Sequence, residues 1–147
     1  AHTHAAMVAQ GFWNAAGWKE ALRLGALALN GFPKHKGVFS TAWYFDPTAS
    51  EISPHLSFVT TLQLPVGAYR FIVGSNDTAI ANATAKSRTR RQLHAEGRYT
   101  PTNYCVVWSR RNLIAAYGAS LEGSDRPIGY CETDGLVDPK VGVQAMI

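Results

Sequence analysis

The chain has 147 residues, of which 46% are hydrophobic and 16% are charged, and its formal net charge is +4 at pH 7. A chain of this length buries roughly 70% of its unfolded surface, so we predict one globular domain over residues 1–147. The low charge excludes a disordered tail and a coiled coil, because both carry many more charged residues.

Residues 5–30 predict one long helix. Ala and Leu dominate, proline is absent, and Asn30-Gly31 followed by Pro33 marks the end. One face repeats at helical spacing and carries Val8, Gly11, Ala15, Trp18, Leu22, Gly25, Ala26 and Leu29. The opposite side is also largely apolar, with Met7, Phe12, Ala16 and Ala28. We therefore expect both faces to contact protein, one of them this domain's own sheet and the other a neighbouring molecule.

Several stretches after Pro33 predict strands, because they are rich in β-branched and aromatic residues. They are 37–45 (GVFSTAWYF), 56–64 (LSFVTTLQL) and the end of 64–74 (LPVGAYRFIVG), where a Pro-Gly turn comes first. Residues 104–109 (YCVVWS) and 113–119 (LIAAYGA) predict a hairpin with 110–112 (RRN) as its loop, and another strand is predicted near 141–147. The predicted layout is a helix over 1–30, a connecting loop with the first strand over 31–55, and the sheet with the disulfide-bounded region over 56–147.

The segment 75–98 is basic and leaves two interpretations open. It is either a helix capped near Asp77, with Lys86, Arg90 and His94 on one face, or a long loop. Its cations can attract phosphates or an acidic surface, and the candidate DNA-binding residues are Lys86, Arg88, Arg90 and Arg91. The alternative is that these side chains, with Arg98 and the later Arg110-Arg111, only solvate the surface.

The two cysteines, Cys105 and Cys131, are too far apart for a zinc knuckle or a C-x-x-C redox motif, and we predict no metal and no cofactor. A disulfide between them fits better. It would close a loop of about 26 residues, remove roughly 3.5 kcal/mol of chain entropy from the unfolded state, and indicate an oxidising compartment. The alternative is a pair of buried free thiols.

No catalytic residue is predicted. The sequence lacks G-x-S-x-G and both glycine-rich phosphate motifs, and its histidines (His2, His4, His35, His55 and His94) are scattered. No apolar run approaches the roughly 18 residues that span a bilayer, and AHTHAAMV lacks the features of a signal peptide. We expect any membrane contact to be made by a segment outside this sequence.

The order of an almost entirely apolar N-terminal helix, an antiparallel sheet and a disulfide-closed C-terminal loop resembles the globular part of a type IV pilin. The stretch AAMVAQGFWNAAGWKEALRLGALALNG (5–31) looks like the second half of a pilin helix, and residues 31–55 look like the variable loop that follows it. The segment from Cys105 to Cys131 looks like the D-region that a disulfide bounds in that family.

The resemblance implies an α+β fold and a non-enzymatic subunit of an extracellular filament that serves adhesion, motility or DNA uptake. Its partners would be copies of itself and other pilus subunits, and it would reach the cell surface from the periplasm or inner membrane. The assembly surface would comprise Val8, Phe12, Ala15, Trp18 and Leu22. The alternative is a secreted binding module or toxin-like domain that uses the basic segment and the exposed aromatics Trp43 and Tyr44.

Overall fold

The computed structural model describes residues 13–118, 145 and 146, and it has the predicted α+β fold: a long N-terminal helix packed on an antiparallel sheet. Within these residues the helices are α1 (Ala15–Gly31), α2 (Pro47–Ile52), α3 (Phe58–Thr61), α4 (Asp77–Ala85), α5 (Arg88–Ala95) and α6 (Arg110–Tyr117). The strands are β1 (Gly37–Ala42), β2 (Tyr69–Gly74), β3 (Asn103–Ser109) and β4 (Ala145–Met146).

The sheet has the order β2-β3-β1-β4, and each neighbouring pair is antiparallel. β3 is therefore central, with Trp108 opposite Val38 of β1 and Val106 opposite Arg70 of β2. The two residues of β4 pair with the start of β1, which confirms part of the strand predicted near 141–147. β2 forms one edge of the sheet.

Helix α1 begins where the Asn14 side chain accepts a hydrogen bond from the Gly17 N–H at 2.9 Å, which satisfies one of the unpaired amides of the first turn. The helix ends at Gly31, as Asn30-Gly31 and Pro33 predicted. Residues 5–12 of the predicted helix lie outside the described part of the chain.

The core lies between α1, α6 and one face of the sheet. Its buried members include Ala26 and Leu29 of α1, Val106 and Trp108 of β3, and Leu113 of α6. The one polar group of Trp108 is satisfied, because its Nε1–H donates to Oε1 of the buried Gln63 at 3.2 Å. Burial of these side chains supplies the main favourable term for folding.

The prediction of a strand at 56–64 is wrong. This segment forms one 3₁₀ turn at Pro54–Leu56, helix α3, and a second 3₁₀ turn at Leu64–Val66. Leu56, Val59 and Gln63 are the buried residues, and their spacing of three and four is that of a helix rather than a strand. The contacts of this face outweigh the β-propensity of the Val and Thr residues.

The prediction of a hairpin around residues 110–112 is also wrong. β3 is followed directly by α6, whose N-terminus is capped by the Ser109 hydroxyl accepting from the Asn112 N–H at 3.1 Å. Leu113 and Tyr117, one helical turn apart, face the core. The Tyr117 hydroxyl donates to the Leu62 carbonyl at 2.5 Å, and this bond holds α6 against α3.

The helical interpretation of segment 75–98 is confirmed, although the segment forms two helices. The side chain of Asn76 caps α4 and that of Ser87 caps α5. In addition, the predicted strand at 37–45 ends at Ala42 and continues as a 3₁₀ turn. None of the helices in the described part of the chain combines the length and the apolar character needed to cross a bilayer.

Candidate functional site

The most unusual surface of the described residues is the edge strand β2. Four of its apolar side chains are largely exposed: Tyr69 by 62%, Phe71 by 55%, Ile72 by 71% and Val73 by 59%. We call these four residues the β2 edge. Single exposed apolar residues are common on monomers, whereas a contiguous group marks an interaction surface.

The neighbours of β2 fix the strand in place. Gly67 adopts a left-handed conformation (φ 95°) at the turn before the strand, and its carbonyl accepts a hydrogen bond from Asn112 Nδ2 at 2.8 Å. At the other end, the Ser75 hydroxyl donates to the Pro101 carbonyl at 2.6 Å. Both anchors are in place without any partner molecule, so the strand is presented in a preformed conformation.

Arg70 is the one charged residue of β2, and it is engaged within the domain. Its Nη1 donates to the Phe45 carbonyl at 3.3 Å, and its guanidinium lies 5.5 Å from the centre of the Tyr104 ring. The β2 edge itself therefore carries no charge.

Natural edge strands usually carry Lys, Pro or a bulge that prevents pairing with other chains. β2 has neither Lys nor Pro, and its register shift lies only at its end, between Ile72 and Gly74. Among the described residues no strand pairs with the outer side of β2, so most of that side is open to pairing.

The β2 edge continues onto the sheet face that points away from the core. Across the strands, Tyr69 is next to Val107 and Phe39, and Phe71 is next to Cys105 and Thr41. We call this row the outer sheet face. Phe39, Cys105 and Val107 are only half-buried, so the apolar surface extends across three strands.

The predicted DNA-binding cluster loses its central member in the structure. Arg90 is only 6% exposed: its Nε donates to the Ala83 carbonyl at 2.7 Å and its Nη1 to the Ser53 hydroxyl at 2.5 Å. Its guanidinium lies 4.7 Å from the centre of the Trp43 ring. Burial lowers the pKa of Arg90, although arginine stays charged. Arg90 thus joins α4, α5 and the end of α2.

The other three members remain on the surface. Lys86 and Arg88 are exposed, and Arg91 is exposed while its Nη2 donates to the carbonyls of Thr84 and Ala85 at the end of α4. These three residues still form a candidate anion-binding surface. It is smaller than the sequence predicted.

The predicted assembly surface divides into three parts. Val8 and Phe12 lie outside the described residues, and Ala15 is exposed at the start of α1. Trp18 and Leu22 instead pack against the domain's own core. Both are only partly buried, so their role in contacts between subunits stays a prediction, although this chain already covers part of the helix face that carries them.

The aromatics expected on the surface are also used internally. Trp43 stacks on Arg90, and Tyr44 lies 5.0 Å from Trp13 and 6.2 Å from Trp18 between ring centres. Burial raises the pKa of Tyr44 to about 12, against a hydrogen bond with Ser40 that lowers it. Neither ring offers the exposed binding surface that the alternative hypothesis required.

Cys105 lies on β3, as predicted; its side chain is half-buried and forms no disulfide with a described residue. Cys131 lies outside the described residues. The disulfide between the two therefore stays a prediction.

Two buried titratable groups, Asp46 and Tyr99, interact electrostatically with each other, and Tyr99 also interacts with Arg90. Each is 3% exposed, and burial raises the pKa of both, to about 12 for Tyr99. Groups this buried are not accessible to a substrate, so we assign them a structural role.

Within residues 13–118, 145 and 146, no three His, Cys, Asp or Glu residues lie close enough together to hold a metal ion.

The sequence contained a signal for the β2 edge that composition alone did not reveal. YRFIVG carries apolar residues on both faces, which is typical of a central strand, yet β2 lies at an edge.

Comparisons of the chain with models of protein families, with curated proteins and with solved structures find no match.

Proposed function

We propose that this protein is a non-enzymatic structural subunit that associates with copies of itself through the β2 edge. The observation that carries the proposal is the exposure of the four uncharged residues Tyr69, Phe71, Ile72 and Val73 on one edge strand. An unpaired strand presents N–H and C=O groups to which another strand can add.

A second copy of the chain is the partner that the chemistry of this surface favours. The β2 edge lacks a charge that could select an acidic or basic partner. Two β2 strands placed antiparallel around a two-fold axis would put aromatic and β-branched side chains opposite one another, and such cross-strand pairs are favourable. The β2 edge of each subunit would then form its side of the interface, and no other surface would be needed for a dimer.

The size of the patch predicts a reversible contact. Aromatic side chains bury about 150–250 Å² each, so the β2 edge offers roughly 400–500 Å² per subunit. A dimer would bury on the order of 900 Å² in total, which is at the low end for specific interfaces. If the outer sheet face also took part in the contact, the total buried area would be larger.

We further propose that the assembly is an extracellular filament of the type IV pilus kind. The order of a long helix followed by an antiparallel sheet supports this proposal. A two-fold contact closes after two copies, so a filament needs a second, different contact. Val8 and Phe12 remain our candidates for it.

The test compares two lysine substitutions of exposed apolar residues. Ile72→Lys places a charge on the β2 edge, whereas Leu24→Lys makes the same kind of change on α1, where the side chain is 41% exposed. Sedimentation velocity over a concentration series measures association. We expect the wild type and Leu24→Lys to dimerise, and Ile72→Lys to weaken the dimer at least about tenfold because its charge would be desolvated.

Two results would overturn the proposal. One is a wild-type chain that stays monomeric at the highest soluble concentration. The other is an Ile72→Lys variant that associates as well as the wild type while Leu24→Lys does not, which would move the interface from β2 to the helix.

A further inference from the structure

A groove of about 560 Å³ lies where β1 begins, β3 ends and α6 begins. It is on the surface of the domain and open to solvent. Its polar lining consists of His35, Lys36, Ser109, Arg110 and Arg111. Pro33, Ile114 and Ala115 supply its apolar part. Its volume is in the range of pockets that hold small molecules, which is about 300–1,000 Å³.

The charged residues among the described lining of this groove are all of one sign. Lys36, Arg110 and Arg111 are cationic at neutral pH, and no acidic residue of 13–118 lines the groove. The N-terminus of α6 adds the positive end of the helix dipole. Together they produce a local positive potential much stronger than the net charge of +4 suggests.

Two arginines elsewhere on the described surface have acidic partners, whereas others, such as Arg88 and Arg91, form no ion pair with a described residue. Arg23 pairs with Glu20 at 2.6 Å and Arg98 with Glu96 at 3.0 Å. Lys36 and Arg111 form no ion pair with a described residue. Their positive charge is therefore not neutralised within the part of the chain that the structure describes.

Arg110 is held rigidly at the wall of the groove. Its Nη1 donates to the carbonyls of Leu29 and Phe32, the latter at 3.1 Å, at the C-terminal end of α1. Its backbone N–H donates to the Lys36 carbonyl at 2.7 Å. These bonds use only Nη1 and the backbone N–H. The N–H groups of Nε and Nη2 take no part in them.

His35 supplies a further unused polar atom. Its Nδ1 is buried and has no hydrogen-bond partner in the structure. Buried polar atoms are normally satisfied, by protein groups or by bound species. This atom is shielded from the open groove, so the binding site is formed by the cationic side chains rather than by His35.

We infer that this groove binds the phosphate group of a small phosphorylated organic molecule, a function beyond the proposed self-association. Lys36, Arg111 and the rigid Arg110 would contact the phosphate oxygens, since guanidinium and ammonium groups are the usual phosphate ligands in proteins. The apolar wall formed by Pro33 and Ile114 would contact the organic part of the molecule.

The experiment uses phenyl phosphate as the probe and isothermal titration calorimetry as the measurement. The double variant Lys36→Ala/Arg111→Ala removes the two unpaired cations of the groove. The control Lys19→Ala/Arg98→Ala removes the same charge from two exposed positions that do not line the groove. We expect the groove variant to bind at least about tenfold more weakly than the wild type, and the control to bind within about twofold of it.

Inorganic phosphate, duplex DNA and anionic lipid vesicles form the comparison arms. Tighter binding of phenyl phosphate than of inorganic phosphate supports the apolar wall as part of the site. The inference is overturned if phenyl phosphate does not bind to the wild type, or if both double variants weaken binding equally. It is also overturned if the groove variant changes binding only to DNA or to vesicles, since the groove would then be part of a macromolecular surface.

Discussion

The guanidinium of Arg90 stacks on the ring of Trp43, 4.7 Å from its centre, in the interior of the domain. In the described part of the chain Arg90 has no carboxylate partner; its hydrogen bonds go to the Ala83 carbonyl and the Ser53 hydroxyl. The residue that the sequence placed at the centre of a DNA-binding surface therefore joins three helices.

We predict that Arg90→Ala lowers the free energy of unfolding by about 2–4 kcal/mol, because it removes two charge-assisted hydrogen bonds and the contact with Trp43. Chemical denaturation measures the change. Arg91→Ala, the neighbouring exposed position, should stay within about 0.5 kcal/mol of the wild type. Equal effects of the two substitutions would contradict the structural role of Arg90.

Replacement of Asp46 tests the effect of its burial on stability. Burial raises the pKa of this carboxyl, against hydrogen bonds with Thr48 and Thr102 that lower it. Asp46 therefore contributes stability below its unfolded pKa of about 4, and this contribution is lost as the pH rises through the higher folded pKa. Asn keeps the cap on α2 and does not titrate. We expect Asp46→Asn to gain stability relative to the wild type as the pH rises from the unfolded pKa through the higher folded pKa.

Glu20→Gln is the control for this pH series. Its hydrogen bond with Arg23 lowers the pKa of Glu20, so its contribution is present above the unfolded pKa and is lost on acidification. The stability of each variant relative to the wild type, plotted against pH, should therefore rise for Asp46→Asn and fall for Glu20→Gln. If the free energies of unfolding of Asp46→Asn and of the wild type changed in parallel with pH, the pKa of Asp46 would be the same in the folded and unfolded states.

Gly37→Ala should destabilise the protein by about 1–3 kcal/mol, because a methyl group there would overlap the backbone carbonyl of Trp108. Gly31→Ala is the matched control, since a Cβ at Gly31 would meet no atom within 4 Å. Thermal unfolding of both variants measures the difference. A Gly37→Ala protein as stable as Gly31→Ala would contradict the register of β1 on β3.

The predicted disulfide has a direct test. Intact mass under non-reducing conditions should be lower by two hydrogens than after reduction, and Cys131→Ser should lower the free energy of unfolding by about 3.5 kcal/mol. A protein prepared under oxidising conditions that keeps two thiols would show that Cys105 is not bonded to Cys131.

The exposed part of the basic segment sets a limit on DNA binding. With Arg90 buried, Lys86, Arg88 and Arg91 provide at most three phosphate contacts there, so a plot of log affinity against log salt should have a slope no steeper than about −2.7. Arg91→Glu should flatten it by about one unit. Absence of a gel shift at low salt would show that these residues only solvate the surface.

Features set by local signals were predicted from the sequence. The end of α1 follows from Asn30-Gly31 and Pro33, and β2 follows the turn at Gly67. Predictions failed where the amino-acid composition of a segment indicated one element and the spacing of its buried residues indicated another. Residues 56–64 have strand-like composition, but Leu56, Val59 and Gln63 are buried at helical spacing.

The position of the candidate surfaces could not be predicted from the sequence, because it depends on how distant segments pack. Nothing local distinguishes Arg90 from Arg91, yet one is buried and the other exposed. Likewise the apolar residues of β2 indicate a strand, but only the pairing order places this strand at the edge. Trp18 was expected between subunits because its intramolecular partners Tyr44, Phe45 and Phe58 are far away in the sequence.

The central position of β3 has a consequence for synthesis on the ribosome. β1 and β2 both pair with β3 and not with each other, so none of these pairings can form before residues 103–109 have emerged. The Arg110 bond that joins α6 to the end of α1 spans 81 positions and also forms late. Until then β1 and β2 are two unpaired apolar segments on the nascent chain, which makes folding slow and the unfinished chain a target for chaperones.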